Sequence, residues 1–383
     1  GSEMCIRDRD KRYQIIIAWY FKLFNILVNG FTRSAFYAKI NMYTRSNNMD
    51  NERKVTIKDI AEMAGTSKTT VSFYLNGKTE KMSEDTKAKI AAVIKKTNYR
   101  PSIVARSLNS KNSKLIGVLI GDITNTFSNQ IVKGIESAAS KDGYQIIVGN
   151  SDYKHEREEN YVERMLSMGV DGFIIQPTAQ FRKLSKKIEE LKKPMVFFDS
   201  KLYDLKTKWV KTNNYEATYE ATTKCIEKGY EEFFLLTADP QLISTRLERA
   251  SGFIDALADH DLHHETFIIE NDQVKPEVIA DFIDSRIDLN KKTLVFVPNC
   301  WALPTVFIAM KHHRKHMPKI GLMGFDNMEW VNFSSPSITT IVQPAFEEGL
   351  EAAKIVIDQI EGKDEVAGQQ VLDCYVNWNE STL

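Results

Sequence analysis

Cysteine is scarce: four in 383 residues, at positions 5, 225, 300 and 374, with no Cys-x-x-Cys pair. This excludes a disulfide-stapled scaffold, a thiol-redox pair and a Cys-rich zinc finger, and it fits a reducing, cytoplasmic compartment. Proline and glycine, at 10 and 18 residues, are too few for a collagen-like or low-complexity chain. No GxGxxG follows a strand pattern, and GxxxxGKS/T, GxSxG and HExxH are missing. The chain therefore lacks the common signatures of dinucleotide, P-loop, hydrolase and zinc-protease chemistry, and it reads as a non-enzyme without cofactor or metal. His260 and His264, like His312 and His316, have the spacing of a helical metal pair, but they lie in charged, loop-like sequence and read as solvated side chains.

Net charge is also absent, with 51 Lys and Arg against 51 Asp and Glu. The balance hides an asymmetry. Residues 53–111 hold thirteen basic and five acidic residues, a net +8; residues 1–52 add +3, and residues 112–383 carry the compensating −11. A compact cationic segment ahead of an acidic body fits a polyanion reader joined to a regulatory module, although a solvated charged face would give the same count.

The only long apolar run, residues 15–31, is broken by Lys22, Asn25 and Asn29 and is slightly short for a membrane span. Residues 1–48 fit none of the patterns that follow. They read as an atypical leader of translated upstream sequence, with Gly1-Ser2 a cloning remnant and Met49 the natural start; a membrane anchor is the alternative reading of the same segment.

From residue 55 the pattern becomes regular. Thr56 and Asp59 form a capping-box signature, and Ile57, Ile60, Ala61 and Ala64 make one apolar stripe. Gly65 ends that helix. Ser67 caps a second, Lys68 to Leu75, whose Val71 and Leu75 turn inward while Lys68, Thr69, Ser72 and Phe73 face out. Ser83 caps a third, with Glu84 and Asp85 in its first turn and Lys95 and Lys96 in its last, both suited to the helix dipole. Two helices joined by Ala64-Gly65-Thr66-Ser67 predict a helix-turn-helix whose second helix can enter a major groove; a small bundle docking on a protein partner would share the spacing. Arg100-Pro101-Ser102 then breaks the chain. Ile103 to Asn109 makes a helix too short to be stable alone, and Leu108 is a candidate apolar wedge for a minor groove.

The runs 55–61, 64–67, Thr70-Val71-Ser72, Leu75-Asn76-Gly77, Asn98-Tyr99-Arg100-Pro101 and Ala105-Arg106-Ser107-Leu108 resemble the LacI/GalR family of bacterial transcription factors, and the resemblance extends over residues 55–383. It implies a homodimer on near-palindromic double-stranded operator DNA, with paired hinge helices in the minor groove. It implies DNA contacts from Thr56, Ser67, Lys68, Thr69, Thr70, Ser72, Phe73 and Asn76, and from Tyr99, Arg100, Ser102, Ala105, Arg106 and Leu108. Phe73 stands where many members carry Arg. Because Phe cannot donate the paired bonds Arg makes to guanine, the operator is expected to differ there.

Beyond residue 113, short apolar runs at 115–120, 144–148, 172–176, 194–198, 233–236, 267–270, 293–297 and 320–325 alternate with helix-period segments. This βαβ rhythm predicts two doubly wound α/β lobes behind the all-α headpiece. The expected organisation is a headpiece at 53–100, a hinge at 101–112 and a core at 113–383. Within the core, 113–213 and 343–370 form the first lobe, and 214–342 and 371–383 the second. The family resemblance implies the periplasmic-binding-protein type of lobe, with a small molecule in the cleft between the two. Ligands in such sheets bind beyond the strand C-termini. The residues there that suit a sugar or sugar acid are Asn125, Phe127, Gln176, Asp199, Arg249, Asn299, Trp301 and Asp326. Arg249 suits a carboxylate. Cys300 stands where the family usually has Asp, a lost negative charge that favours an anion. The runs 121–128, 296–304 and 341–347 further resemble repressors of 2-keto-3-deoxygluconate utilisation, which implies a sugar-acid effector. Two other readings remain at this point: a sugar receptor without DNA activity, and a catabolite-type regulator with a protein co-regulator.

Overall fold

The computed structural model describes residues 55–75, 77–80, 82–99, 112–202, 206–269, 275–326, 328–363 and 368–383. The leader expectation at 1–48 and most of the expected hinge lie outside these residues. Among the described residues no helix is long and apolar enough to cross a membrane. The chain separates into two compact units, residues 1–102 and 103–383.

In the first unit, α1 (Ile57–Met63), α2 (Lys68–Leu75) and α3 (Glu84–Thr97) enclose a small core of Ile60, Ala61, Ala64, Val71 and Ile90. The capping box forms: the Thr56 N–H donates to Asp59 Oδ2 at 2.7 Å and the Asp59 N–H donates back to Thr56 Oγ1 at 3.4 Å. The turn between α1 and α2 needs Gly65, whose φ of +64° is a conformation other residues adopt only with strain. Asn98 ends α3 in the same left-handed region.

The second unit contains two six-stranded sheets. The first comprises β1 (Leu115–Ile120), β2 (Gln145–Asn150), β3 (Gly172–Ile175), β4 (Met195–Phe198), β5 (Lys208–Thr212) and β11 (Gln369–Leu372), in the order β11-β5-β4-β3-β1-β2, all pairs parallel. The second comprises β6 (Glu232–Thr237), β7 (His264–Ile268), β8 (Thr293–Val297), β9 (Ile320–Phe325), β10 (Thr339–Val342) and β12 (Tyr375–Asn377), in the order β12-β10-β9-β8-β6-β7, with only β12 antiparallel.

Helices cover both faces of each sheet, so alternate strand residues feed different cores. Phe233 and Leu235 pack with α7 (Asn214–Glu227) and α8 (Ser244–Ala258), while Phe234 and Leu236 pack with α9 (Pro276–Asp284) and α10 (Leu303–Ala309). In the first lobe, α4 (Thr126–Lys141) and α12 (Ala345–Ile360) cover one face, and α5 (His155–Ser167) and α6 (Arg182–Glu190) the other. Burial on both faces explains why the inner strands β1, β3, β4, β6, β8 and β9 read as continuous apolar runs. The short α11 (Met328–Phe333) precedes β10.

The chain passes between the lobes after β5, after β10 and after β11. Because Gln369–Leu372 is one strand paired with β5, the third passage follows Leu372, not residue 370 as the sequence suggested. His264 lies in β7 and His260 follows α8, while His312 and His316 occupy separate 3-10 turns, so neither pair shares an α-helical face.

Candidate functional site

On the headpiece, Ser67 caps α2 by accepting from the Thr70 N–H at 3.0 Å, and the two hydroxyls bond to each other at 2.8 Å. Lys68, Thr69 and Phe73 are exposed on α2, Phe73 to 48%, while Ser72 and Thr70 are half-buried. Thr56 is exposed at the start of α1. Tyr99 packs against the headpiece core. The surface thus offers short polar donors, one cation and one exposed aromatic ring on a single short helix. Asn76, Arg100, Ser102, Ala105, Arg106 and Leu108 lie outside the described residues, as does the expected wedge.

In the second unit, strand order reverses beside β1 and beside β6, and loops at the C-terminal ends of both sheets face a shared cleft. All eight residues expected there from sequence line one cavity. Asn125 N-caps α4, accepting from the Phe127 N–H at 3.0 Å. Gln176, just past β3, accepts from the Gly121 N–H at 2.8 Å and donates to Asp199 Oδ2 at 2.6 Å. Asn299, past β8, accepts from the Ala238 N–H at 2.8 Å. Asp199 and Asp326 directly follow β4 and β9, and both have positive φ, +60° and +52°. Strained backbone at matching positions of the two lobes turns both carboxylates into the cleft. Arg249 lies across the Phe325 ring, 3.9 Å from its centre, donating Nε to Asn214 Oδ1 at 2.7 Å and one terminal nitrogen to Pro298 O at 2.9 Å.

Further residues belong to the site beyond those eight. Tyr153, Thr245, Arg246 and Gln343 line the cavity. Glu348, on α12, accepts from the Asp199 N–H at 2.6 Å and forms the floor beneath it. Gln343 holds Asp326, donating its N–H at 3.0 Å and its side-chain amide at 2.8 Å. Cys300 lines the cavity as a neutral thiol: burial pushes it up to about 12, and it donates to Asn125 Oδ1 at 3.3 Å. That contact joins the lobes. So do the Ala179 N–H to Leu242 O bond, the Lys201 N–H to Ser244 Oγ bond, and a buried ion pair in which Lys211 donates to both oxygens of Glu248 at 2.7 Å.

Burial raises the Asp199, Asp326 and Glu348 carboxyls above their ordinary values, and the Arg249 charge opposes this in each case. Glu348 is raised furthest, first by removal from water and then by the Asp199 charge, and its Oε2 has no hydrogen-bond partner among the described residues. An acid with a raised folded-state value binds protons more tightly folded than unfolded. The stability this gives is complete at acidic pH and is lost as pH rises through the raised value. Glu348→Gln is therefore expected to flatten the fall of unfolding free energy as pH rises above the ordinary carboxylate range, by up to about 1.4 kcal/mol per pH unit. Urea unfolding at a series of pH values measures this; equal slopes for variant and wild type would exclude the buried acid as a source.

A helix-turn-helix unit followed in sequence by a two-lobed domain with a polar cleft defines the class of ligand-responsive regulators with a DNA-binding headpiece. Comparison with known proteins makes it specific. Residues 113–372 match the periplasmic binding proteins and sugar binding domain of the LacI family, and residues 56–102 match the bacterial regulatory proteins of the lacI family. The HTH-type transcriptional regulator KdgR of Bacillus subtilis (strain 168) is 34% identical over 313 residues, 80% of this chain and 91% of that protein. The probable HTH-type transcriptional regulator EndR of Paenibacillus polymyxa is 33% identical over 315 residues, 81% of this chain and 92% of that protein. The lac repressor dimer bound to operator and the anti-inducer ONPF shares the fold, with a TM-score of 0.71 at 23% identity over 86% of this chain and 100% of that one. The chain belongs to the LacI family of bacterial transcriptional regulators.

Proposed function

We propose that the protein is a cytoplasmic repressor that holds near-palindromic operator DNA as a homodimer, and that a sugar acid of the 2-keto-3-deoxygluconate type controls its grip from the cleft. The observation that carries the choice of an acid is a pair of buried arginines. Arg246 and Arg249 are 3% and 7% exposed, and both line the cavity. Their hydrogen bonds go to an amide and to backbone carbonyls, and neither pairs directly with a carboxylate among the described residues. Burial lowers the Arg246 value and the neighbouring Arg249 charge adds to this, while Tyr153, Asp239 and Asp199 oppose it. Two desolvated guanidiniums that repel each other favour an anionic ligand, and a carboxylate takes paired N–H bonds from such a group. The neutral Cys300 in the same wall adds no opposing charge. Likeness to KdgR supports the effector class, and the structural likeness to the operator-bound lac repressor supports the dimer on DNA.

On this reading the lobes have two arrangements, and the effector prefers one. A tenfold change in operator affinity needs a preference of about 1.4 kcal/mol. Gel-shift titration of promoter fragments from the source genome tests the DNA half. The headpiece segment carries a net +8 over residues 53–111. Operator affinity is accordingly expected to fall about a thousandfold between roughly 50 and 200 mM salt as phosphate counterions are displaced. A flat salt response, or no shift of any fragment, would sink the proposal. Titration with 2-keto-3-deoxygluconate tests the effector half.

A further inference from the structure

We propose that Lys211 and Glu248 form a latch that holds the two lobes at one angle and so positions the cleft arginines. Neither residue lines the cavity itself. Lys211 sits on β5, an inner strand of the first sheet, where a parallel sheet ordinarily carries apolar side chains. Glu248 sits in the second turn of α8, on the second lobe. The Lys211 ammonium donates to both carboxylate oxygens at 2.7 Å, and the two side chains are only 11% and 10% exposed. No other carboxylate lies within ion-pair distance of Lys211 among the described residues.

Its place in the fold makes the pair a latch. Directly after Lys211 the chain leaves the first lobe through Thr212 and Asn213. Thr212 Oγ1 donates to Gln343 Oε1 at 2.9 Å, on the second passage between the lobes. A change of lobe angle pivots on these passages and moves the Lys211 ammonium against its two-point acceptor. On the other side, α8 turns Arg246 and Arg249 toward the cavity and Glu248 toward the first lobe. Two neutral bonds flank the pair: the Lys201 N–H donates to Ser244 Oγ at 3.1 Å and the Ala179 N–H to Leu242 O at 3.3 Å. A buried charge deprived of its partner is strongly unfavourable. Without Glu248 the favoured arrangement is one that admits water to Lys211, and the arginines move away with α8. Lys211 and Glu248 are thus positioning residues.

Hydrogen exchange of the full chain without effector, followed by mass spectrometry, tests the latch. Glu248→Leu should speed exchange of the Ala179 and Lys201 amides, which cross between the lobes, at least tenfold. The Phe173 amide, bonded to Pro194 O, and the Thr293 amide, bonded to Lys319 O, lie within single lobes and should stay within threefold of wild type. Lys211→Met combined with Glu248→Leu leaves an apolar pair and should restore the interlobe protection. Unchanged exchange at Ala179 and Lys201 in Glu248→Leu, or a double variant as fast as the single, overturns the latch. Where Glu248→Leu loosens both lobes, Glu248→Gln keeps the shape and carries the same test; general loosening there too makes the pair a part of the fold alone and overturns the proposal. Calorimetry with 2-keto-3-deoxygluconate reads the positioning role: at least tenfold weaker binding in Glu248→Leu, and recovery to within threefold of wild type in the double variant. Equal affinity in all three overturns that role. This half rests on the sugar-acid reading; no binding to wild type sinks that reading and leaves the exchange test standing.

Discussion

Gly349→Ala is expected to destabilise the α/β unit by about 2–4 kcal/mol, a large effect for one added methyl. The cause is the crossing of α4 and α12. A Cβ on Gly349 would sit 2.1 Å from the Ile131 carbonyl oxygen, and one on Gly134 would sit 2.0 Å from the Phe346 carbonyl oxygen. The obstruction is backbone on both sides, so no rotamer change relieves it and the helices must separate. Gly134→Ala should cost a similar amount, and the double variant less than the sum, because one separation accommodates both methyls. Gly368→Ala, where nothing lies within 4 Å, is the control and should stay within about 0.5 kcal/mol of wild type. Urea midpoints decide the matter; a neutral Gly349→Ala would show that the crossing yields easily. Since α12 also carries Glu348 beneath Asp199, the same variant should weaken effector binding.

Arg249→Ala is expected to lower affinity for a sugar acid about a hundredfold or more while leaving operator binding without effector intact. Charge-assisted bonds to a carboxylate contribute about 1.5–3 kcal/mol each, and a guanidinium can supply two. The side chain is held for this by Asn214, Pro298 and the Phe325 ring, with one terminal nitrogen left without a partner among the described residues. Its loss also removes the charge that opposes the rise in Asp199 and Asp326, so both acids should protonate more readily. Arg249→Lys keeps the charge without the fork and should recover only part of the affinity. Calorimetry for the effector and gel shift for the operator separate the two effects; unchanged effector affinity would remove Arg249 from carboxylate recognition.

The inner strands found by apolar runs were legible because both faces of each sheet are covered, which leaves uninterrupted hydrophobic sequence, whereas the run at 267–270 met only the end of β7 (His264–Ile268), a largely exposed edge strand. β5 was not legible, since Lys208-Trp209-Val210-Lys211-Thr212 has only two apolar residues in a row. Lys211 is nonetheless buried, because Glu248 from the other lobe neutralises it, and no local pattern announces a partner 37 positions away. β10 begins with two threonines, one of which bonds to Ser381 and Thr382 near the chain's end. The cavity residues at strand ends could be located by the rule that ligands bind there. Tyr153 could not, because its position depends on two left-handed residues of ordinary type. Glu348 looked like its neighbour Glu347, and only the angle of α12 buries one and not the other.

The threefold passage of the chain between lobes has a consequence for synthesis on the ribosome. The first sheet lacks its edge strand until Leu372 has been made, and the second until Asn377. The two lobes therefore receive their last strands almost together, Leu372 and Asn377 being close neighbours in sequence. Until those strands are made, β5 and β10 each present an unpaired edge in the nascent α/β unit.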